Sequence, residues 1–116
     1  MLPQKYSAEI FLKDQNKEML IWLISQLNKD FSLTGINHVF EEKLSINELV
    51  NQLNENIGYL MKNDFQTYLN LLYRIDISES KMKEIDEIEI DKISQKVTSF
   101  ILIREWQKVW FKNRNL

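Results

Sequence analysis

Cysteine is absent from this chain of 116 residues, and there are only one proline and two glycines. Without cysteine the chain has no disulfide, no thiolate ligand for zinc or an iron–sulfur cluster, and no cysteine nucleophile. A β-sandwich or barrel needs many turn residues, and neither Asn-Gly nor Asp-Gly occurs as a hairpin signal. The composition therefore excludes thiol chemistry and favours helices.

The chain also has no long hydrophobic run and no excess of one charge. No apolar run approaches the about 20 residues of a membrane-spanning helix, and the opening residues MLPQKYSAEI hold no signal-peptide core. A net charge of −2 does not suit a protein that coats nucleic acid or an anionic membrane. We therefore expect a cytoplasmic protein with no membrane contact, for which nucleic acid is not the expected partner.

A hydrophobic content of 44% and a charged content of 28% are those of an ordinary globular protein, so the chain is expected to bury a core. No repeat, linker or low-complexity segment divides it, which predicts one helical domain over residues 1–116. Helical patterns with short connections predict an all-α fold, an antiparallel helical bundle of four main helices plus one short helix.

Two neighbouring helices carry the clearest start signals. Ser45 and Glu48 form a capping-box pattern ahead of an amphipathic stripe. Asp64 is the predicted N-cap of the next helix, which runs to about Arg74. On that helix the apolar residues form two stripes, which predict a central helix that is buried on most sides. The stripes are Phe65, Leu69 and Leu72, and Tyr68, Leu71 and Ile75.

The remaining helices are predicted mainly from apolar spacing. The first covers about Asp14–Asn28, and residues 30–44 after it are predicted to be a loop. A short helix is predicted over about 78–87, with Ser78 as its cap. The last helix is predicted over Ile90–Asn113 and is apolar nearly all round at its centre, so it is expected to be covered on two sides.

The string VWFKNRN near the C-terminus is similar to part of the recognition helix of homeodomains. In that family the tryptophan and phenylalanine anchor the helix, while an asparagine reads adenine in the major groove. The resemblance implies that Trp110 and Phe111 are anchors. It also implies that Asn113 reads adenine and that Lys112 contacts a base. Outside the string the similarity ends, because the family has arginine where Asn115 stands and a turn where the apolar run FILI lies. A nucleic-acid-binding helical domain that uses its basic-aromatic C-terminal helix is therefore kept as an alternative.

The same stretch has a simpler interpretation as a helix end that meets an apolar surface. Trp106 and Trp110 are four residues apart, so they lie on one helix face. They either close the bundle core or anchor a protein partner, since Trp and Arg dominate interface hot spots. Lysine and arginine near a helix C-terminus also suit the negative end of the macrodipole. The predicted interaction residues are Trp106, Trp110, Phe111, Lys108 and Arg114.

The acidic stretch around residues 84–91 gives a second alternative. Glu84, Glu87 and Asp91 are predicted to share a helix face, where they could hold Mg²⁺ as in a nucleotide hydrolase. Such an enzyme needs a second acidic pair, and the candidate at 41–42 falls in the predicted loop. His38, the only histidine, is predicted to be a loop residue without a catalytic role.

No arrangement of residues for catalysis is found, because there is no P-loop, Rossmann glycine pattern, HExxH motif or G-x-S-x-G elbow. We therefore expect no enzymatic activity, no metal and no cofactor. The sequence predicts a small non-catalytic helical bundle that acts through protein–protein interaction, as a homo-oligomer, adaptor or regulator. Its partner is expected to be another protein or a second copy of the chain.

Overall fold

A computed structural model describes residues 17–113 of the chain, and this range holds five helices that pack against each other. They are α1 (Lys17–Leu33), α2 (Ile46–Asn63), α3 (Phe65–Ile75), α4 (Glu79–Lys83) and α5 (Ile90–Asn113). Helix α5 packs against α1, α2 and α3, and α3 also contacts α1 and α2. The predicted all-α bundle of four main helices plus one short helix is therefore confirmed. Among the helices of residues 17–113, none is both long and apolar enough to cross a membrane.

Three predicted helix starts are confirmed by hydrogen bonds at the caps. Ser45 and Glu48 make both bonds of a capping box, with Glu48 N donating to Ser45 Oγ (3.2 Å) and Ser45 N donating to Glu48 Oε1 (2.9 Å). Asp64 caps α3 by accepting from the backbone N–H of Thr67. Ser78 caps α4 in the same way. These bonds fix where α2, α3 and α4 begin.

Two helix ends differ from the predictions. Helix α1 continues to Leu33, through residues predicted to be a loop, because Asp30 and Phe31 both lie on its buried side. Helix α4 ends at Lys83 rather than near Glu87, and the chain after it is not helical until α5. The predicted start of the first helix near residue 14 lies outside the described residues.

The loop between α1 and α2 is held to the bundle by one side chain. The Asn28 amide donates to the carbonyl oxygen of Phe40 (2.9 Å), and its Oδ1 accepts from the Phe40 N–H (2.8 Å). The Phe40 side chain is buried, with its ring centroid 5.0 Å from that of Phe31. His38 lies in this loop, as predicted, and contacts Phe40 and Gln52. The Asn28 side chain thus satisfies both backbone polar groups of the buried residue Phe40.

Asn28→Ala is expected to lower the free energy of unfolding by about 1–3 kcal/mol, because it leaves a buried N–H and C=O without partners. Urea unfolding at neutral pH measures the change. The control is Asn51→Ala, since Asn51 is an exposed helical asparagine in α2 and should change stability by less than about 0.5 kcal/mol. Equal stability changes in the two variants would contradict a role for the Asn28–Phe40 bonds.

Candidate functional site

Helix α3 is not the buried central helix that its apolar stripes predict. Tyr68, Leu71, Leu72 and Ile75 are buried, so one side of the helix does face the core. The opposite margin is open to solvent. Its exposed apolar residues are Phe65, Leu69 and Tyr73, with 54%, 42% and 87% of their surface accessible. The prediction of burial on most sides is therefore wrong, and these three residues, spaced four apart, form what we call the α3 ridge.

An open groove with a volume of about 750 Å³ runs beside the α3 ridge. We call it the α3 groove. Helix α3 contributes the ridge itself together with the buried Tyr68 and Leu72. The other lining residues come from α2, from the α3–α4 turn, from α4 and from the start of α5. They are Met61, Ile77, Glu79, Met82, Lys83 and Ile93, with Asn70 of α3 also at the edge.

Most of the groove surface is apolar, and its polar groups are few. Glu79 and Lys83 of α4 supply one charge of each sign at the rim. Burial raises the pKa of the Tyr68 hydroxyl to about 12, so this group is a neutral donor at physiological pH. The groove therefore offers mainly apolar contact with one hydroxyl donor, a combination suited to an apolar helix face.

The C-terminal residues predicted to form an interaction site are in different environments. Trp106 is partly buried and packs against the core, whereas Phe111 is 51% exposed. Trp110 is partly buried, and its ring contacts that of Phe111 edge-on with centroids 5.1 Å apart. Arg114 lies outside the described residues. The structure thus brings together Trp110 and Phe111 and places Trp106 at the edge of the core.

Lys108 belongs to a group of three charged residues between α1 and α5, which we call the buried charge cluster. Its Nζ lies 2.8 Å from Asp30 Oδ2 and 2.8 Å from Glu105 Oε1. The Asp30 and Glu105 side chains are 4% and 0% accessible. Gln26 donates a further hydrogen bond to Asp30 (3.2 Å). The sequence patterns predict none of these contacts, and they give Lys108 a role within the bundle.

The three groups of the cluster do not titrate as they would in water. Burial raises the pKa of Glu105 to about 8, and the neighbouring Asp30 carboxylate adds to the rise. Burial also acts to raise the pKa of Asp30, but hydrogen bonds from Glu105 and Lys108 outweigh it and leave that pKa below its usual value. Both carboxyl oxygens of Glu105 are buried, and Oε1 lies 2.8 Å from Lys108 Nζ. With its pKa at about 8, Glu105 is mostly protonated at neutral pH, next to the ionised Asp30.

The acidic stretch at 84–91 does not form the carboxylate face that a Mg²⁺ site requires. Glu84 and Glu87 follow the end of α4, and Asp91 lies in the first turn of α5, so the prediction of one helix face is wrong. Each carboxylate lies within 3.7–4.0 Å of a lysine instead. The pairs are Lys81–Glu84, Lys96–Glu87 and Lys62–Asp91. Among residues 17–113 no group of three or more His, Cys, Asp or Glu side chains could hold a metal ion.

Comparison of this chain with protein-family models, with curated proteins and with solved structures finds no match.

Proposed function

We propose that this protein is a small non-catalytic helical bundle of the cytoplasm that acts through protein–protein contact. Its binding surface is the α3 ridge together with the α3 groove. The observation that supports this proposal is the exposure of Phe65, Leu69 and Tyr73 next to an apolar groove. The homo-oligomer, adaptor and regulator roles predicted from the sequence all require such a surface.

The pattern of exposure separates this surface from ordinary exposed apolar residues. Single exposed hydrophobic side chains are common on soluble proteins, but contiguous apolar patches mark interaction sites. Ile88 is a residue of the first kind, since it is 95% exposed in the segment between α4 and α5. Tyr73, by contrast, is 87% exposed and lines the groove together with eleven other residues. Leaving such a patch in water has a cost that a binding partner removes.

A groove beside a helix favours one mode of recognition, in which an amphipathic helix lays its apolar face into the groove. Residues four apart on α3 form a ridge against which such a helix packs. Met61 and Met82 in the lining adapt to the shape of the inserted side chains, because methionine is unbranched and flexible. The Tyr68 hydroxyl can donate to a polar group of the bound helix.

The C-terminal aromatic residues are kept as a second part of the proposed interaction surface. Phe111 and Trp110 lie on the last turns of α5, away from the groove lining. Lys108 is held by Asp30 and Glu105, so its charge is neutralised within the bundle. The proposal therefore rests on the α3 groove rather than on this helix end.

A synthetic amphipathic helical peptide made of Leu, Ala, Glu and Lys tests the binding mode. Fluorescence anisotropy of the labelled peptide is expected to show saturable binding with a Kd on the order of 10–100 µM. Tyr73→Lys places a charge in the middle of the interface and is expected to weaken this binding at least about tenfold. Because Tyr73 is 87% exposed, the substitution should leave the thermal unfolding of the chain unchanged.

Tyr59→Lys is the matched control for the peptide experiment. Tyr59 is a helical tyrosine with 64% of its surface exposed, and it does not line the groove. Its substitution adds the same charge and should leave peptide binding unchanged. If Tyr59→Lys weakened binding as much as Tyr73→Lys, the peptide would be responding to overall charge, and the groove would lose its support as the binding site.

A further inference from the structure

The surface around α3 carries a ridge and a groove side by side. The ridge residues lie four apart, and the groove runs between them and α4. A two-fold rotation about an axis parallel to the ridge exchanges the positions of ridge and groove. Two copies related by that rotation therefore each present a ridge where the other presents a groove, which is the requirement for a self-complementary interface.

We propose that the partner which occupies the α3 groove is a second copy of this chain, with the α3 ridge of each copy inserted into the α3 groove of the other. This inference rests on the proposed function, since it names the occupant of the same surface.

The packing of two α3 helices in this way has a preferred geometry. Residues four apart form ridges inclined by about −26° to the helix axis. Two helices related by a two-fold axis along this ridge therefore cross at an angle of about −50°. That angle is the commonest class of helix packing in globular proteins. Phe65, Leu69 and Tyr73 thus form the kind of ridge that this class uses, and they leave water when the copies associate.

Charges at the α3–α4 turn support the same arrangement. Arg74 lies on the side of Tyr73 that faces the end of α1, away from the groove, and Glu79 lines the groove from α4. Neither residue forms an ion pair within residues 17–113, whereas Asp76 between them pairs with Arg104 at 3.2 Å. The two-fold rotation about an axis parallel to the ridge leaves the α3–α4 turns of the two copies next to each other. Arg74 of one copy therefore meets Glu79 of the second copy, and the contact occurs twice.

The size of the surface indicates a weak dimer. Helix α3 has 11 residues, and at 1.5 Å per residue it is about 16 Å long. Twelve residues line the groove, whereas a standard interface uses about 20–30 residues on each side. The net charge of −2 gives only slight repulsion between copies. We expect a dissociation constant on the order of 10–100 µM, in rapid exchange between monomer and dimer.

Sedimentation velocity of the full chain between about 5 and 500 µM tests the proposal across the expected dissociation constant. The weight-average mass is expected to rise from 14.0 kDa toward twice that value. Tyr73→Lys should remain at the monomer mass throughout the range. Tyr59→Lys should follow the wild-type curve, because the same charge is added outside the groove.

Charge reversal distinguishes a second copy from any other partner. Arg74→Glu gives a chain with two acidic residues at the contact, and Glu79→Arg gives one with two basic residues. Each variant alone is expected to dimerise at least about tenfold more weakly than the wild type. An equimolar mixture should recover dimer, because both contacts between unlike variants then pair opposite charges. A partner other than a second copy of the chain does not predict the recovery.

The outcomes separate this inference from the proposed function. A chain that stays monomeric at 500 µM but binds the amphipathic peptide through Tyr73 would overturn the second copy as occupant and leave the groove as a binding site for another protein. A chain that neither self-associates nor binds the peptide would overturn both. Dimerisation that survives Tyr73→Lys, or a mixture that fails to recover dimer, would also overturn the ridge-in-groove arrangement.

Discussion

Lys108→Met is expected to lower the free energy of unfolding by about 3–5 kcal/mol at pH 7, because it removes the cation that contacts two buried carboxyl groups. Lys108 Nζ lies 2.8 Å from one oxygen of each partner, Asp30 and Glu105. Methionine keeps most of the side-chain volume, so the loss measures charge rather than packing. Urea unfolding followed by circular dichroism gives the value.

The size of the expected loss follows from what the variant leaves behind. The Asp30 side chain is 4% accessible, so its carboxylate cannot recover the lost interaction from water. Removing one member of a buried ion pair is far more harmful than replacing every member with apolar residues. The triple variant Asp30→Leu, Glu105→Leu and Lys108→Met should therefore be more stable than Lys108→Met alone.

Lys112→Met provides the control for Lys108→Met. Lys112 lies one turn further along α5, is exposed and has no ion pair within residues 17–113. Its contribution is limited to the interaction with the helix macrodipole, about 0.3–1 kcal/mol. If the two methionine variants lost the same stability, Lys108 would contribute no more than an exposed lysine. That result would contradict a stabilising role for the contacts of Lys108 in the buried charge cluster.

Local hydrogen bonding explains which parts of the fold were predictable from the sequence. The caps at Ser45, Asp64 and Ser78 each depend on a side chain and a backbone N–H three residues apart. Such contacts need no information about distant elements. The start of α5 at Ile90 and the class of the fold follow from apolar spacing in the same way.

Features that depend on distant neighbours were not predictable. The stripes of α3 indicate that two margins are apolar, but the number of neighbouring helices decides which margin is covered. For that reason Phe65 and Leu69, which belong to a stripe predicted to be buried, are exposed. The α3 groove has no sequence signal of its own, because its walls come from five segments of the chain.

One signal for the buried charge cluster was present in the sequence. Glu105 lies midway between Ile101 and Val109, four residues from each, and so falls on an apolar stripe of α5. Asp30 occupies the same kind of position after Leu27 in α1. A charged residue on a buried stripe requires a partner, which here is Lys108. The sequence could not show that both carboxyl groups meet the same lysine, because the contact joins residues 78 positions apart.

Glu105→Gln is expected to remove the pH dependence that Glu105 gives to stability. Burial raises the pKa of Glu105 to about 8 in the folded chain, from an ordinary value of 4.5. Between these values the folded state binds more protons than the unfolded state, so stability falls as pH rises, by at most about 1.4 kcal/mol per pH unit. The contribution is complete below about pH 4.5 and is lost as pH rises through 8. Glutamine is uncharged at every pH and removes this slope.

The comparison of interest is therefore the difference in unfolding free energy between Glu105→Gln and the wild type from pH 5 to pH 9. Near pH 5 both side chains are neutral and nearly isosteric, so the difference should be small. At pH 9 the variant should be more stable by about 1–3 kcal/mol, since the wild type then buries a second carboxylate beside Asp30. The lowered pKa of Asp30 and the raised pKa of Lys108 place their titrations below and above this window. The control is Glu55→Gln, because Glu55 is an exposed glutamate in α2. Its curve of unfolding free energy against pH should run parallel to that of the wild type. If the curve of Glu105→Gln were parallel as well, Glu105 would already be ionised at pH 5.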